Sequence, residues 1–137
     1  VSTAEQAWQQ MRRLVLELHD KRGEVTEALG MSFIRAKALR QLMPAPMTMR
    51  ELATALAIDA PYTTLVVDDL EERGFVLRSV HPVDRRVKVV SLTPSGADAA
   101  GTASEILNEP PDALRALDEA DLQALGRILE RITDWPR

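Results

Sequence analysis

Two short runs carry the residue types best suited to chemistry. Tyr62-Thr63-Thr64 offers three hydroxyls directly after Asp59-Ala60-Pro61, and Asp84-Arg85-Arg86 sets two guanidinium groups beside a carboxylate. Short hydroxyl side chains can read base edges or phosphates in a wide groove, and adjacent arginines suit a narrow groove where negative potential is focused. That is the chemistry of recognition, not of bond making. The usual catalytic sets are missing from the chain. It has no cysteine, which removes thiol nucleophiles, thiolate zinc sites, disulfides and thiol redox sensing together. Its histidines, His19 and His81, are far apart in sequence, and no glycine-rich phosphate loop occurs. Neither enzymatic activity nor a metal or cofactor is expected.

The net charge of -4 over 137 residues runs against a nucleic-acid partner, whose phosphates favour a basic surface. The charge is segregated, however. From Arg73 to Lys88 the basic residues Arg73, Arg78, Arg85, Arg86 and Lys88 stand against Asp84 alone, whereas Glu105 to Asp134 is dominated by acids. Length and composition, 45% hydrophobic and 28% charged, fit one folded domain. No apolar run approaches the roughly 20 residues of a membrane span, and the first residues lack the pattern of a secretory signal. A cytoplasmic protein is expected, with no membrane partner.

The elements that must position these residues can be read from caps and periodicity. Ala7, Trp8, Met11, Leu14, Val15 and Leu18 predict an amphipathic helix from Ala4 to about Asp20, opened by a Ser2/Glu5 capping box. Ser32 caps a second helix that runs to Leu42 and is stopped by Pro44 and Pro46. Thr48-Met49-Arg50-Glu51 has the form of another capping box and starts a helix of about two turns. Asp59 caps the next helix, whose first turn tolerates Pro61 and which Gly74 ends. Leu65, Val66 and Leu70 read as its core side, and Tyr62, Thr63, Asp69 and Arg73 as its polar side. Two runs of branched residues, Phe75–Val80 and Val87–Leu92, predict a hairpin with a long basic tip. Thr93-Pro94 opens a helix of small residues towards Leu107, Pro110-Pro111 breaks it, and a last amphipathic helix runs from Ala113 to Thr133 with Asp118 as an internal cap.

Short helices followed by a basic-tipped hairpin give the winged helix-turn-helix order. In addition, Glu51-Leu52-Ala53 with Leu56, the run Val67 to Val76, Asp84-Arg85-Arg86 and Leu92-Thr93-Pro94-Ser95-Gly96 resemble the MarR (multiple-antibiotic-resistance regulator) family, in an order that covers essentially the whole chain. The resemblance implies a mainly α fold with a small β-hairpin wing: one domain over 1–137, with dimerisation helices at about 1–30 and 108–137 and a winged helix-turn-helix lobe with a connecting helix at about 31–107. It implies a dimeric, sequence-specific DNA-binding regulator, a repressor by expectation, acting on a pseudo-palindromic operator in duplex DNA. The expected DNA-binding residues are Arg50, Pro61, Tyr62, Thr63, Thr64, Arg73, Arg78, Asp84, Arg85, Arg86 and Lys88. Of these, Arg50, Arg73, Arg78 and Lys88 suit phosphates, which position rather than specify. Asp84 either holds Arg86 in a fork, as the family resemblance implies, or forms a turn.

The chain departs from the family where basic side chains give way to Leu65 and Asp69 and where Pro61 stands at the helix start. Asp69 is expected to pair with Arg73 at i,i+4. Trp8, Met11, Leu125, Leu129, Ile132 and Trp135 form the expected dimer seam, since amphipathic terminal helices must bury their stripes and operator symmetry mirrors protein symmetry. A small aromatic or anionic effector is expected by analogy near His19, Phe33, Arg35, Met43 and Met47, although methionines also serve as core filler. A second class of function stays open: a winged-helix module that docks protein without reading specific DNA.

Overall fold

The computed structural model describes residues 2–137; Val1, the first residue of the expected N-terminal unit, lies outside them. Helix α1 (Ala4–Arg13) opens with a capping box, but not the expected one. Thr3 takes the cap: its hydroxyl accepts from Gln6 N at 3.1 Å and its amide donates to Gln6 Oε1 at 2.9 Å. Ser2 is displaced from the role because Thr3 with Gln6 offers the same reciprocal pairing one residue on. The helix then widens into a π turn, Leu14–Leu18, closed by His19 N donating to Leu14 O at 3.0 Å, so regular helix stops well before Asp20.

Helix α2 (Arg22–Leu29) was not anticipated. It ends at Gly30, whose φ of 64° is left-handed and suits a residue without Cβ. Helix α3 (Phe33–Gln41) follows Ser32 and stops short of Pro44. Strand β1 (Met47–Thr48) leads without a break into α4 (Met49–Leu56), where the expected capping box is present: Glu51 N donates to Thr48 Oγ1 at 3.1 Å and Thr48 N to Glu51 Oε1 at 2.9 Å. Asp59 caps α5 (Ala60–Glu72) through Tyr62 N at 2.8 Å, with Pro61 in the first turn and Gly74 at φ 80° beyond the end. Strands β2 (Val76–Val80) and β3 (Lys88–Leu92) pair antiparallel, and β1 adds to the far side of β3, giving the order β1-β3-β2. Helix α6 (Pro94–Asn108) is capped by Thr93, the short α7 (Asp112–Arg115) follows the proline pair, and Asp118 caps α8 (Glu119–Thr133).

The main core joins α3, α4, α5 and the sheet around Leu39, Leu52, Val66, Val67, Leu70, Val76 and Val90, all fully buried. Each such side chain contributes about 1.5–3 kcal/mol by leaving water. A smaller cluster of Val25, Ala36 and Ala103 ties α2 and α3 to α6. Close approach is required at one place: a Cβ on Gly96 would stand 1.9 Å from the Phe75 carbonyl oxygen, so only glycine lets α6 seat against the start of the wing. Neither α1 nor α8 buries a single residue. Leu65, expected on the core side of α5, is 57% exposed, because the buried stripe is set instead by Thr63, Val66, Val67 and Leu70.

Candidate nucleic-acid interface

Helices α4 and α5 form the helix-turn-helix pair, joined through Ala57, which sits in the left-handed region at φ 55°. On α5 the exposed positions are Ala60, Pro61, Tyr62, Thr64, Leu65 and Asp68, followed by Glu71 and Glu72. Thr63 leaves the expected reading surface. It is buried, and its hydroxyl donates to Asp59 O at 2.8 Å, so it packs the helix instead of facing a ligand. Thr64 is exposed with its hydroxyl proton committed to Ala60 O at 3.1 Å.

The expected Asp69–Arg73 pair is present and is part of something larger. Asp69 Oδ2 accepts from Arg73 Nε at 2.7 Å and from Arg35 Nε at 2.8 Å, while Arg73 Nη1 reaches Gly30 O at 3.2 Å. These bonds tie α5 to α3 and to the end of α2. The Arg73 hydrogen bond chiefly, then that of Arg35, holds the Asp69 carboxyl below the usual carboxylate range against the opposing effect of desolvation. Arg35 is thereby removed from the expected effector set: its guanidinium serves Asp69 and donates to Ser32 Oγ at 2.8 Å. Arg73 is engaged by the same carboxylate while its side chain stays exposed. Arg78, on β2, is held by Glu71 Oε1 at 3.0 Å and by Asp68, so its guanidinium is engaged with protein carboxylates.

The wing tip is a built loop. His81 N donates to Val87 O at 2.9 Å, and His81 Nδ1 accepts from Val83 N at 3.1 Å and Asp84 N at 3.2 Å. Asp84 grips Arg86 three times, through Arg86 N and Nε on Oδ1 at 3.1 and 3.2 Å and Nη2 on Oδ2 at 3.3 Å. The two readings of Asp84 therefore coexist as turn and fork. Arg86, by side chain first and amide second, lowers the Asp84 carboxyl from its ordinary value. The Arg86 side chain is nevertheless 90% exposed, and Arg85 and Lys88 are exposed too. A groove between the start of α4 and the wing brings together Arg50, Arg86 and Lys88, with Thr48 and Asp84 on its wall. Arg50 also borders the cleft between α4 and α5, beside Thr64.

The expected effector residues are divided. His19 and Phe33 share a cavity of about 650 Å³ lined by Leu14, Leu107, Leu114 and Leu117, with Lys21 and Arg22 at its edge. Those two cations were not anticipated, because nothing in the sequence signalled α2. Asp20 holds Arg22 in a bidentate pair at 2.9 and 2.8 Å, which lowers the Asp20 carboxyl to about 2. Met47 lies instead in β1 and packs on the main core, and Met43 stands by Ser104 of α6, so neither joins this cavity. Of the expected seam residues, Trp8 is 60% and Trp135 75% exposed, Leu129 and Ile132 are exposed, and Met11 and Leu125 are half-buried. Among the described residues no group of histidines and carboxylates has the arrangement of a metal site, and no helix is long and apolar enough to cross a membrane.

The MarR family model matches residues 39–88, the span from the last turn of α3 to the first residue of β3. Over that span the chain is similar to the MarR family. Among relatives, a putative transcriptional regulatory protein for the hcr operon of Thauera aromatica is 30% identical over 82 residues, which are 59% of this chain and 49% of the relative. The chain thus spans about half the length of that relative. Among solved structures, wild-type MarR from E. coli in its apo form superposes with a TM-score of 0.74 at 20% identity, over 96% of this chain and 98% of that one. NadR in complex with 4-hydroxyphenylacetate superposes with a TM-score of 0.69 at 20% identity, over 99% and 96%. At that identity the structural likeness establishes the MarR fold, mainly helical with a small three-stranded sheet, and nothing finer.

Proposed function

We propose that this chain is a MarR-family, cytoplasmic, sequence-specific DNA-binding transcription regulator, a repressor, that works as a two-fold symmetric homodimer on a pseudo-palindromic operator. The observation that carries this reading is the groove between the start of α4 and the wing where exposed Arg50, Arg86 and Lys88 converge, with Arg86 oriented by the Asp84 fork. A pre-oriented guanidinium at a hairpin tip suits a narrow minor groove, and the flanking cations suit phosphates. The local basic cluster answers the acidic average, since affinity depends on charges that meet the backbone. The test is a titration of Arg86→Ala against an operator fragment selected from genomic DNA. Binding weakened at least tenfold, on the scale of about 1–3 kcal/mol for one specific contact, supports the assignment; parental affinity refutes it.

The dimer is inferred from α1 and α8, where no residue is fully buried within the protomer and Trp8, Leu129 and Ile132 are exposed. Trp8, Met11, Leu125, Leu129, Ile132 and Trp135 would meet their counterparts there, with 1–30 and 108–137 acting as the dimerisation unit and 31–107 as the reading lobe. The effector proposed for the cavity beside His19 and Phe33 is a small aromatic acid: its walls are largely apolar, and of the charged groups that line it, Lys21 is the cation left for a carboxylate, since Arg22 is held by Asp20 and Glu109 is acidic. The 4-hydroxyphenylacetate bound by NadR belongs to the same chemical class. A second reading, a protein-docking module, is favoured by Asp68, Glu71 and Glu72 on the exposed side of α5. A dimer with no salt-dependent affinity for any genomic fragment would establish that reading instead.

A further inference from the structure

We propose that α5 reads its operator through thymine methyl groups, with Leu65 as the specificity-determining contact. This rests on the DNA-binding reading above. Direct readout of the major groove ordinarily uses arginine or lysine on guanine, asparagine or glutamine on adenine, aspartate or glutamate on the cytosine amino group, serine or threonine on several edges, and apolar side chains on the thymine C5 methyl. From Ala60 to Glu72 the chain contains no lysine, arginine, histidine, asparagine or glutamine. The first two modes are therefore closed to α5.

The polar groups that remain are largely committed. Thr63 is buried, and the Thr64 hydroxyl proton goes to Ala60 O. Asp68 and Glu71 hold Arg78, and Asp69 holds Arg35 and Arg73. Arg35, Arg73 and Arg78, which flank α5, are engaged by the same bonds. The free donor on this face is the Tyr62 hydroxyl, in a side chain 41% exposed.

What α5 presents in their place is apolar. Leu65 is 57% exposed at the centre of the arc opposite Val66, Val67 and Leu70, one turn on from exposed Pro61. A leucine in that position contributes nothing to the core and gains by leaving water only when something apolar covers it. In the major groove the apolar group that a base pair offers is the thymine methyl. Each methyl contact is worth about fourfold in affinity, so a symmetric pair, one per half-site, is worth about 15-fold.

The experiment uses the full-length protein and an operator selected from genomic DNA. Thymines are replaced by deoxyuridine, which removes the methyl and keeps every hydrogen-bonding edge, first all together and then in symmetric pairs. The expected result is a loss of about 15-fold at one pair, with the salt dependence unchanged. Leu65→Ala, on a surface position, loses a similar factor on the thymine operator and no more on the uracil operator. Leu65→Arg shifts selection towards guanine at the same position. Uracil operator bound within twofold of the parent, or Leu65→Ala losing the same factor on both DNAs, overturns the proposal while leaving DNA binding intact. Absence of salt-dependent binding to any fragment overturns the DNA-binding reading, and this one with it.

Discussion

Replacement of Asp69 by asparagine removes the charge that anchors α5 to its neighbours. Asp69 accepts from Arg35 at 2.8 Å and Arg73 at 2.7 Å, with side-chain exposures of 30% for the aspartate, 19% for Arg35 and 38% for Arg73. Hydrogen bonds to charged groups contribute about 1.5–3 kcal/mol when sheltered. The Arg35 bond belongs near the lower end of that range, and the more exposed Arg73 pair is screened to a few tenths. Asp69→Asn is therefore expected to cost about 2 kcal/mol, with Arg35 left half-buried and short of a counter-ion. The sign with pH is fixed by the depressed carboxyl. Stabilisation is fully present above the ordinary value of 3.8 and is lost as pH falls through the lower folded value. Urea unfolding of both proteins at equal protomer concentration, from pH 7 downward, reads this directly. A gap of about 2 kcal/mol at pH 7 that closes only below pH 3.8 is expected. A gap under about 0.5 kcal/mol at pH 7, the range of an ordinary surface change, or one that widens on acidification, refutes the reasoning.

Gly96→Ala forces a Cβ to within 1.9 Å of Phe75 O and is expected to cost about 3 kcal/mol or more, seen as a lowered thermal midpoint or loss of soluble protein. Ile132→Glu, at a position 53% exposed in the protomer, is expected to leave the helical content intact and convert a dimer to a monomer, read by light scattering after size exclusion. His81→Ala removes the acceptor of the Val83 and Asp84 amides and should speed hydrogen exchange at those two sites several-fold while leaving the α5 amides unchanged.

The parts of the fold legible in the sequence are those fixed by chemistry between near neighbours. Thr48 with Glu51, Asp59 with Pro61, Thr93 with Pro94 and Asp118 each act within one turn, and each is found where that chemistry requires. The same logic misplaced the first cap by one residue, because Ser2/Glu5 and Thr3/Gln6 both satisfy the pattern and only the second closes. Helix α2 was invisible because Gly23, Glu24, Thr26 and Glu27 dilute its apolar face to Val25 and Leu29. Strand β1 was invisible because its pairing is with Val89 and Val90, far along the chain. In the candidate site, the Asp84–Arg86 fork spans two residues and was readable, whereas Arg35 meets Asp69 across 34 residues and Arg78 meets Asp68 and Glu71 across a turn that spacing does not specify. Leu65 was misread because a leucine beside valines suggests a core stripe, and the helix phase set by Thr63, Val66, Val67 and Leu70 turns it outward.

The two-residue strand Met47–Thr48 is hydrogen-bonded to the wing on one side and continuous with α4 on the other. The basic flap and the first limb of the helical pair are in effect riveted together, as the blades of a calliper are to its bar. The start of α4 and the base of the wing are thereby held side by side through Val89 and Val90.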